Sequence, residues 1–329
     1  MTLAERVDVT IAIVNWNTRD LLKACLQSVA VGMGRLRAKI VVVDNSSKDG
    51  SGAMLAQEFP SVEAICNQAN LGFAYGNNQA LAAAQGRYFL LLNPDTVVRS
   101  LAIEQMADFL DAHPDVTGAT CKLLNLDGSF QRYYKRLPTW RYIAATHTFF
   151  RALFPDNRWA REFYMIDERF DLARPVEQPA AACLMLRRDR LPQEGLFDER
   201  FPIFFNDIDL CRQLKDQGET IWFLPESEVV HHGSGGGVGS MKDQAIIDYL
   251  ISWIRYVRKQ EGPIASGLCW LGIVLNSALV LIGGAVHVLL GKKPSGWLAN
   301  ESRRHWRLFW GRDTFQYPSS VVPVVPRWS

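Results

Sequence analysis

The chain has 329 residues, 48% of them hydrophobic and 21% charged, with a formal net charge of +2. This length fits one large α/β domain with an appendage, and the composition excludes a disordered majority. The near-balanced charge excludes a general nucleic-acid surface, and six widely spaced cysteines without a CxxC pair read as reduced core thiols in a cytoplasmic setting.

The N-terminal stretch lacks a basic region and a cleavage site, so Val9–Asn15 reads as a first β-strand and not as a signal peptide. Leu21–Val29 has helical spacing. Ile40–Asp44 is hydrophobic up to its last residue, as expected for a parallel strand covered on both faces. Gly52–Phe59 reads as a helix, Val62–Cys66 as a third strand, Tyr75–Ala84 as an alanine-rich helix and Tyr88–Leu92 as a fourth strand. Ala102–Ala112 is a helix ending before Pro114. This alternation, running to about residue 122, predicts βαβ units and a mostly parallel sheet flanked by helices.

From 123 to 240 the pattern is less regular. Leu126–Phe130 contains Asp-Gly, a hairpin signal. Residues 133–170 are crowded with aromatics and arginines; Tyr133, Tyr134, Trp140 and Tyr142 read either as sugar-stacking surfaces or as core. Cys183–Leu186 is strand-like, Asp207–Gln217 is a helix stopped by Gly218, and Ile221–Leu224 and Val229–His232 are short strands. Beyond a helix over Lys242–Lys259, Ile264–Leu290 holds no Asp, Glu, Lys or Arg in 27 residues. That run is long enough to span a bilayer. Basic residues flank both of its ends, which favours a helical hairpin or an in-plane segment with both ends cytoplasmic. Gly267, Gly272, Gly283 and Gly284 are candidate break points, and Trp297, Trp306 and Trp310 suit an interface. The alternative is a buried core helix.

In an open parallel sheet, ligands bind at the carboxyl ends of the strands. Four polar clusters stand there: Asn15-Trp16-Asn17, Asp44-Asn45-Ser46-Ser47, Asn67 to Phe73, and Asn93-Pro94-Asp95. Each alone suits a turn or helix cap; four on one edge favour a shared site. Asp44 suits a ribose or a base N–H, and Gly72 allows close backbone approach to a ligand. Asp95 either shares Mg²⁺ or Mn²⁺ with a diphosphate or caps the next helix.

The segments VTIAIVNWNTRDLLKACLQSV, VVVDNSSKDGS, NLGFAYGNNQAL and LLLNPDT together resemble family 2 glycosyltransferases of the GT-A fold, in particular the bacterial rhamnosyltransferase-like branch. The resemblance covers about residues 7–240 and implies a GT-A domain there. Its nucleotide-binding half spans about 1–122 and its acceptor half about 123–240, and a helical, membrane-associating region follows over 241–329. It implies nucleotide-sugar binding by Asn15, Asp44, Ser46, Asn70, Gly72, Asn93 and Asp95. Of the family's Asp-x-Asp motif only Asp95 is kept, because Asn93 replaces the first carboxylate. In FPIFFNDIDLCRQLKDQG, Asp207 matches the family's general base, and Asp209 is read as pairing with Arg212. His231, more than His232, matches a metal-ligating histidine; the alternative is packing on the sheet. The glycine-rich GSGGGVGS, with Gly235, Gly236, Gly237 and Gly239, reads as a mobile lid.

The implied activity is inverting, metal-dependent transfer from a nucleotide-diphosphate sugar, with dTDP-rhamnose the first choice and a UDP-sugar the second. The implied acceptor is a saccharide or polyprenyl-linked saccharide, at the cytoplasmic face of the plasma membrane during cell-surface polysaccharide synthesis. Two rival classes fit the sequence less well. A nucleotide-dependent oxidoreductase needs G-x-G-x-x-G after the first strand, and VNWNTRD has no glycine. A non-catalytic nucleotide-sugar-binding membrane scaffold agrees with Asn93 but not with retention of Asp95, Asp207 and His231.

Overall fold

The computed structural model describes residues 7–142, 154, 156–191, 195–233 and 242–292, with 294, 296, 297, 299 and 302. The chain forms two compact units, one of residues up to 135 with 168–240, the other of 136–167 with 241–314.

The first unit opens with β1 (Val9–Asn15), α1 (Arg19–Gly32), β2 (Ala38–Asp44), α2 (Ser51–Glu58), β3 (Glu63–Cys66), α3 (Gly72–Ala82) and β4 (Tyr88–Leu92). β1 pairs in parallel with β2 and β4, and β2 with β3, so these strands all end at one sheet edge. β1 and β4 are buried along their whole lengths, as the unbroken apolar sequence of β4 and the largely apolar one of β1 lead one to expect. Then follow β5 (Thr96–Val98), α4 (Ala102–Ala112), β6 (Gly118–Leu124), β7 (Arg174–Val176), β8 (Cys183–Arg187), α6 (Asn206–Asp216) and β9 (Ile221–His231). Here α5 is the short helix Arg158–Phe163 of the second unit. Among the described residues the nine strands form one mixed sheet ordered β3-β2-β1-β4-β8-β6-β9-β5, with β7 on β9.

The polarity of the sheet brings the second half to the same edge as the first. β8 runs antiparallel to both β4 and β6, so β6 runs parallel to β4; β9 is parallel to β6. The carboxyl ends of β6 and β9, at Asn125 and His231, therefore lie on the edge that holds Asn15, Asp44, Asn67 and Asn93. β9 is one strand where the sequence predicts two, because the register shift between Cys121 and Lys122 lets β9 carry Pro225 and its neighbours as a bulge. β5 and β6 were not foreseen. The tail of the Asn93-Pro94-Asp95 cluster therefore enters a strand on β9, and α4 begins only at Ala102, so Asp95 caps no helix. The Asp-Gly turn is present: Leu124 bridges Phe130, and Gly128 takes φ 81°.

In the second unit, α7 (Lys242–Leu289) is broken at Gly262, whose φ of 88° precedes Pro263. Two helices thus meet where the expected helix ends and the apolar run begins. Trp253, Tyr256 and Val257 are buried, whereas Ile264, Leu268, Leu275, Ile282 and Leu289 stand exposed. The helix Asp248–Leu289 is long and apolar enough to cross a membrane. The helix continues through the candidate break points Gly267, Gly272, Gly283 and Gly284, so the run is one helix and not the helical hairpin that its flanking basic residues favoured. Each glycine costs about 1 kcal/mol against alanine, too little to break so long a run. The Trp297 ring lies against Gly284, where a Cβ would overlap it. Residues 136–167, expected in the first domain, group with this unit through contacts such as Trp140 N–H to Glu261 Oε1 at 2.9 Å. The lid glycines 235–239, Trp306 and Trp310 lie outside the described residues.

Candidate active site

Asn15 and Asp44 stand side by side at the ends of β1 and β2. Asn15 Nδ2 donates to Asp44 Oδ1 at 2.7 Å and to Ser47 Oγ at 3.1 Å, while Asn15 Oδ1 accepts from the Thr18 hydroxyl at 2.6 Å. Ser47 N–H caps Asp44 Oδ2 at 3.0 Å. Asp44 is buried and held as an acceptor, which suits recognition of hydroxyl or N–H donors on a nucleoside. Ser46 takes φ 61°, and Ser47 rather than Ser46 carries the contacts to Asn15 and Asn17. A serine-serine turn does not reveal from sequence which hydroxyl turns inward.

The third cluster is built differently from expectation. Asn70 Oδ1 accepts from Gly72 N–H at 3.0 Å, and the N–H groups of Phe73 and Ala74 both reach the Pro202 carbonyl, at 2.6 and 3.2 Å. The first donors of α3 are therefore already engaged within the protein. A Cβ on Gly72 would stand 2.7 Å from Pro202 O, so the close backbone approach at this glycine is by Pro202. Asn45, not singled out from sequence, ties the cluster to Asp44's loop by donating to Gly72 O at 3.0 Å and accepting from Asn67 at 2.8 Å.

Asn93, Asp95 and His231 come together. His231 Nε2 lies 3.4 Å from Asp95 Oδ1 and 3.5 Å from Asn93 Nδ2. The pairing Thr96↔His231 between β5 and β9 makes the juxtaposition. His232, on the opposite side of the strand, contributes its backbone N–H to Asp95 O at 2.9 Å. Beneath the cluster, burial pushes the Cys25 thiol up to about 12, so Cys25 stays a neutral donor toward Asn93 O. Tyr133 is exposed with its ring edge-on to His231, centroids 6.0 Å apart, whereas Tyr134 is core, stacked on Phe170 and bonded through its hydroxyl to Cys121 O.

Asp207 lies in the first turn of α6, entered through Phe205 at φ 67°. Desolvation raises its pKa; the N–H of Ile208, the charge of Lys135 and the N–H of Ala181 oppose that rise. The segment before β8 links it to β4: Ala181 N–H serves Asp207, and Ala182 O accepts from Asn93 N–H at 2.9 Å. Asp209 is fully buried and accepts from Gln213 at 2.7 Å, while Arg212 bonds Asp216 one turn on. Of the two carboxylates, the partly exposed Asp207 is the one with room for a substrate proton. Lys135, half-buried and with its pKa lowered by desolvation, is a further group here that the sequence did not point to.

The chain is similar to known proteins. Residues 10–189 match the model of the Glycosyl transferase family 2. An N-acetylglucosaminyl-diphospho-decaprenol L-rhamnosyltransferase of Mycobacterium tuberculosis is 26% identical over 59% of this chain and 66% of its own length. An O-antigen biosynthesis protein of Myxococcus xanthus is 24% identical over 74% of this chain and 18% of its own length. The chain thus spans just under two thirds of the former relative and about a fifth of the latter. Among solved structures, a mannosyltransferase of Pyrobaculum calidifontis in complex with GDP-Man and Mn²⁺ matches with a TM-score of 0.51 at 14% identity, over 93% of this chain and 88% of that one. GalNAc-T7 with UDP, GalNAc and Mn²⁺ matches with a TM-score of 0.50, also at 14% identity, over 69% and 44%. These two likenesses are of fold, and that fold is GT-A. By the family match, which spans more than half of its length, the chain belongs to glycosyl transferase family 2.

Proposed function

We propose that the chain transfers a sugar from a nucleoside-diphosphate donor to a hydroxyl acceptor, inverting the anomeric centre. The observation that carries this reading is the Asp95–His231 pair, a carboxylate and an imidazole nitrogen 3.4 Å apart, on the sheet edge that also holds Asp44. Two cis ligands, each about 2.1 Å from a small divalent cation, stand about 3 Å apart, so the pair fits Mg²⁺ or Mn²⁺. Among the described residues no group of three or more His, Cys, Asp and Glu forms a cage. Asp95 and His231 would hold such a cation, which would supply charge neutralisation to the leaving diphosphate.

The protein's own groups divide the remaining work. Asp44, oriented by Asn15 and Ser47, binds the nucleoside; Asn15, Asn70 and Gly72 shape its loops. Asp207 takes the acceptor's hydroxyl proton as the oxygen attacks the anomeric carbon opposite the diphosphate, and a raised pKa makes a carboxylate a better base. The first choice of donor is dTDP-rhamnose, and of acceptor a polyprenyl-linked saccharide, in keeping with the name of the mycobacterial relative. The exposed apolar helix after Pro263 associates the chain with the membrane, at its cytoplasmic face, where cell-surface polysaccharide is assembled.

The test is Asp207→Asn, assayed for sugar transfer and for donor binding. Transfer is expected to collapse by 10²-fold or more, on the order of the contribution of a general base, with donor affinity kept. Transfer at the wild-type rate removes Asp207 from the mechanism.

A further inference from the structure

His231 can face a cation only through Nε2, and only if its ring proton sits on Nδ1. The hairpin after β6 fixes that choice. His231 Nδ1 lies 2.8 Å from Gln131 Oε1. Gln131 Nε2 donates to Asn125 Oδ1 at 2.9 Å and to the His231 carbonyl at 3.2 Å. Asn125 Nδ2 donates to Ser129 Oγ at 2.9 Å, and Ser129 donates its hydroxyl to Asp127 Oδ1 at 2.6 Å. Both ends of this chain are groups that only accept: the Asp127 carboxylate and a backbone carbonyl. The Ser129 hydroxyl and N–H hold the Asp127 carboxyl below its ordinary range, so it remains ionised. Turning the Gln131 amide over would set its oxygen against the His231 carbonyl and the Asn125 oxygen. Turning Asn125 as well would relieve only the second clash. The polarity therefore runs one way, from His231 Nδ1–H into Gln131 and outward to Asp127.

We propose that Gln131 is a positioning residue that holds His231 in its Nδ1–H tautomer and so presents the Nε2 lone pair toward Asp95, with its own amide oriented by Asn125, Ser129 and Asp127. The inference rests on the reading of Asp95 and His231 as cation ligands. Metal-bound histidines generally donate their second ring N–H in this manner, and loss of such a partner costs about 10–100-fold in metal affinity. The Asp-Gly turn thereby gains a role in the site, since it folds the hairpin back so that Gln131 reaches the end of β9.

The test uses the full chain with ¹⁵N-histidine, freed of metal. Long-range ¹H–¹⁵N spectra read the tautomer of each neutral ring, and loss of one signal set in His231→Ala assigns His231. Mn²⁺ affinity is measured separately from the free-ion electron paramagnetic resonance signal. Wild-type His231 is expected as the Nδ1–H tautomer. Gln131→Met is expected to lose that preference and to weaken Mn²⁺ about 10–100-fold. An Nε2–H tautomer in wild type overturns the proposal even if Gln131→Met does not fold. So does a Gln131→Met protein with unchanged tautomer and Mn²⁺ affinity while His231→Ala loses Mn²⁺. If His231→Ala binds Mn²⁺ as wild type does, it is the cation reading that fails, whatever the tautomer.

Discussion

Asp207 and Lys135 form the most informative pair of single residues. Burial raises the pKa of Asp207 and lowers that of Lys135, while each charge stabilises the other. A base must be ionised to act, so with Asp207 in the proposed role transfer is expected to be lost as pH falls through its raised value. Removing the Lys135 charge removes one of the influences that hold that value down. Lys135→Met is therefore expected to shift the acid limb of the kcat/KM profile to higher pH; an unmoved or downshifted limb contradicts the coupling. Linkage gives a second sign. The folded value lies above the unfolded one, so the native state holds the extra proton between them, and stability falls as pH rises through that window. Asp207→Asn lacks this fall, and at neutral pH it should melt no lower than wild type. At this scale the sequence placed Asp44 and Asp95 at strand ends and the structure sets Asp95 beside His231, but the contacts made by Ser47, Asn45, Lys135 and Gln131 were not legible. Their contributions depend on partners 22 to 100 residues away, and no spacing within the chain encodes these.

At the scale of elements, β1 and α4 were readable to the residue because their apolar pattern is long and unbroken. β5 has only three residues, and β6 begins at a glycine and carries a lysine, so neither shows strand periodicity strongly. The sequence shows two short strands where β9 runs as one, since its neighbour β6 pairs with it on both sides of Pro225. α3 starts three residues before the predicted Tyr75, since Asn70 and Pro202 supply acceptors for its first N–H groups. Here a single methyl group is a sharp probe. Gly72→Ala combines a φ of 88° with a Cβ 2.7 Å from Pro202 O, and should destabilise the protein by more than about 1 kcal/mol in urea unfolding. A neutral change would mean that the Pro202 loop does not sit on α3.

At the scale of the whole molecule, the parallel strands, the antiparallel β8 and the returning β9 converge on one polar edge, and the second unit adds an apolar helix. That helix exposes Ile264, Leu268, Leu275, Ile282 and Leu289 along its length, more apolar surface than a helix in water ordinarily leaves bare. The full chain is expected to float with phospholipid vesicles, and a chain ending at residue 261 to remain with the soluble fraction; equal partition of both contradicts a membrane role for the helix. The central claim concerns the polar edge, and the most direct measurement is the melting temperature with UDP, dTDP, GDP and CMP, each with and without Mn²⁺. A ligand that binds only the native state raises stability according to its occupancy. The account predicts a rise with one nucleoside diphosphate that grows when Mn²⁺ is present. No rise with any of them, at concentrations far above ordinary nucleotide affinities, would contradict it.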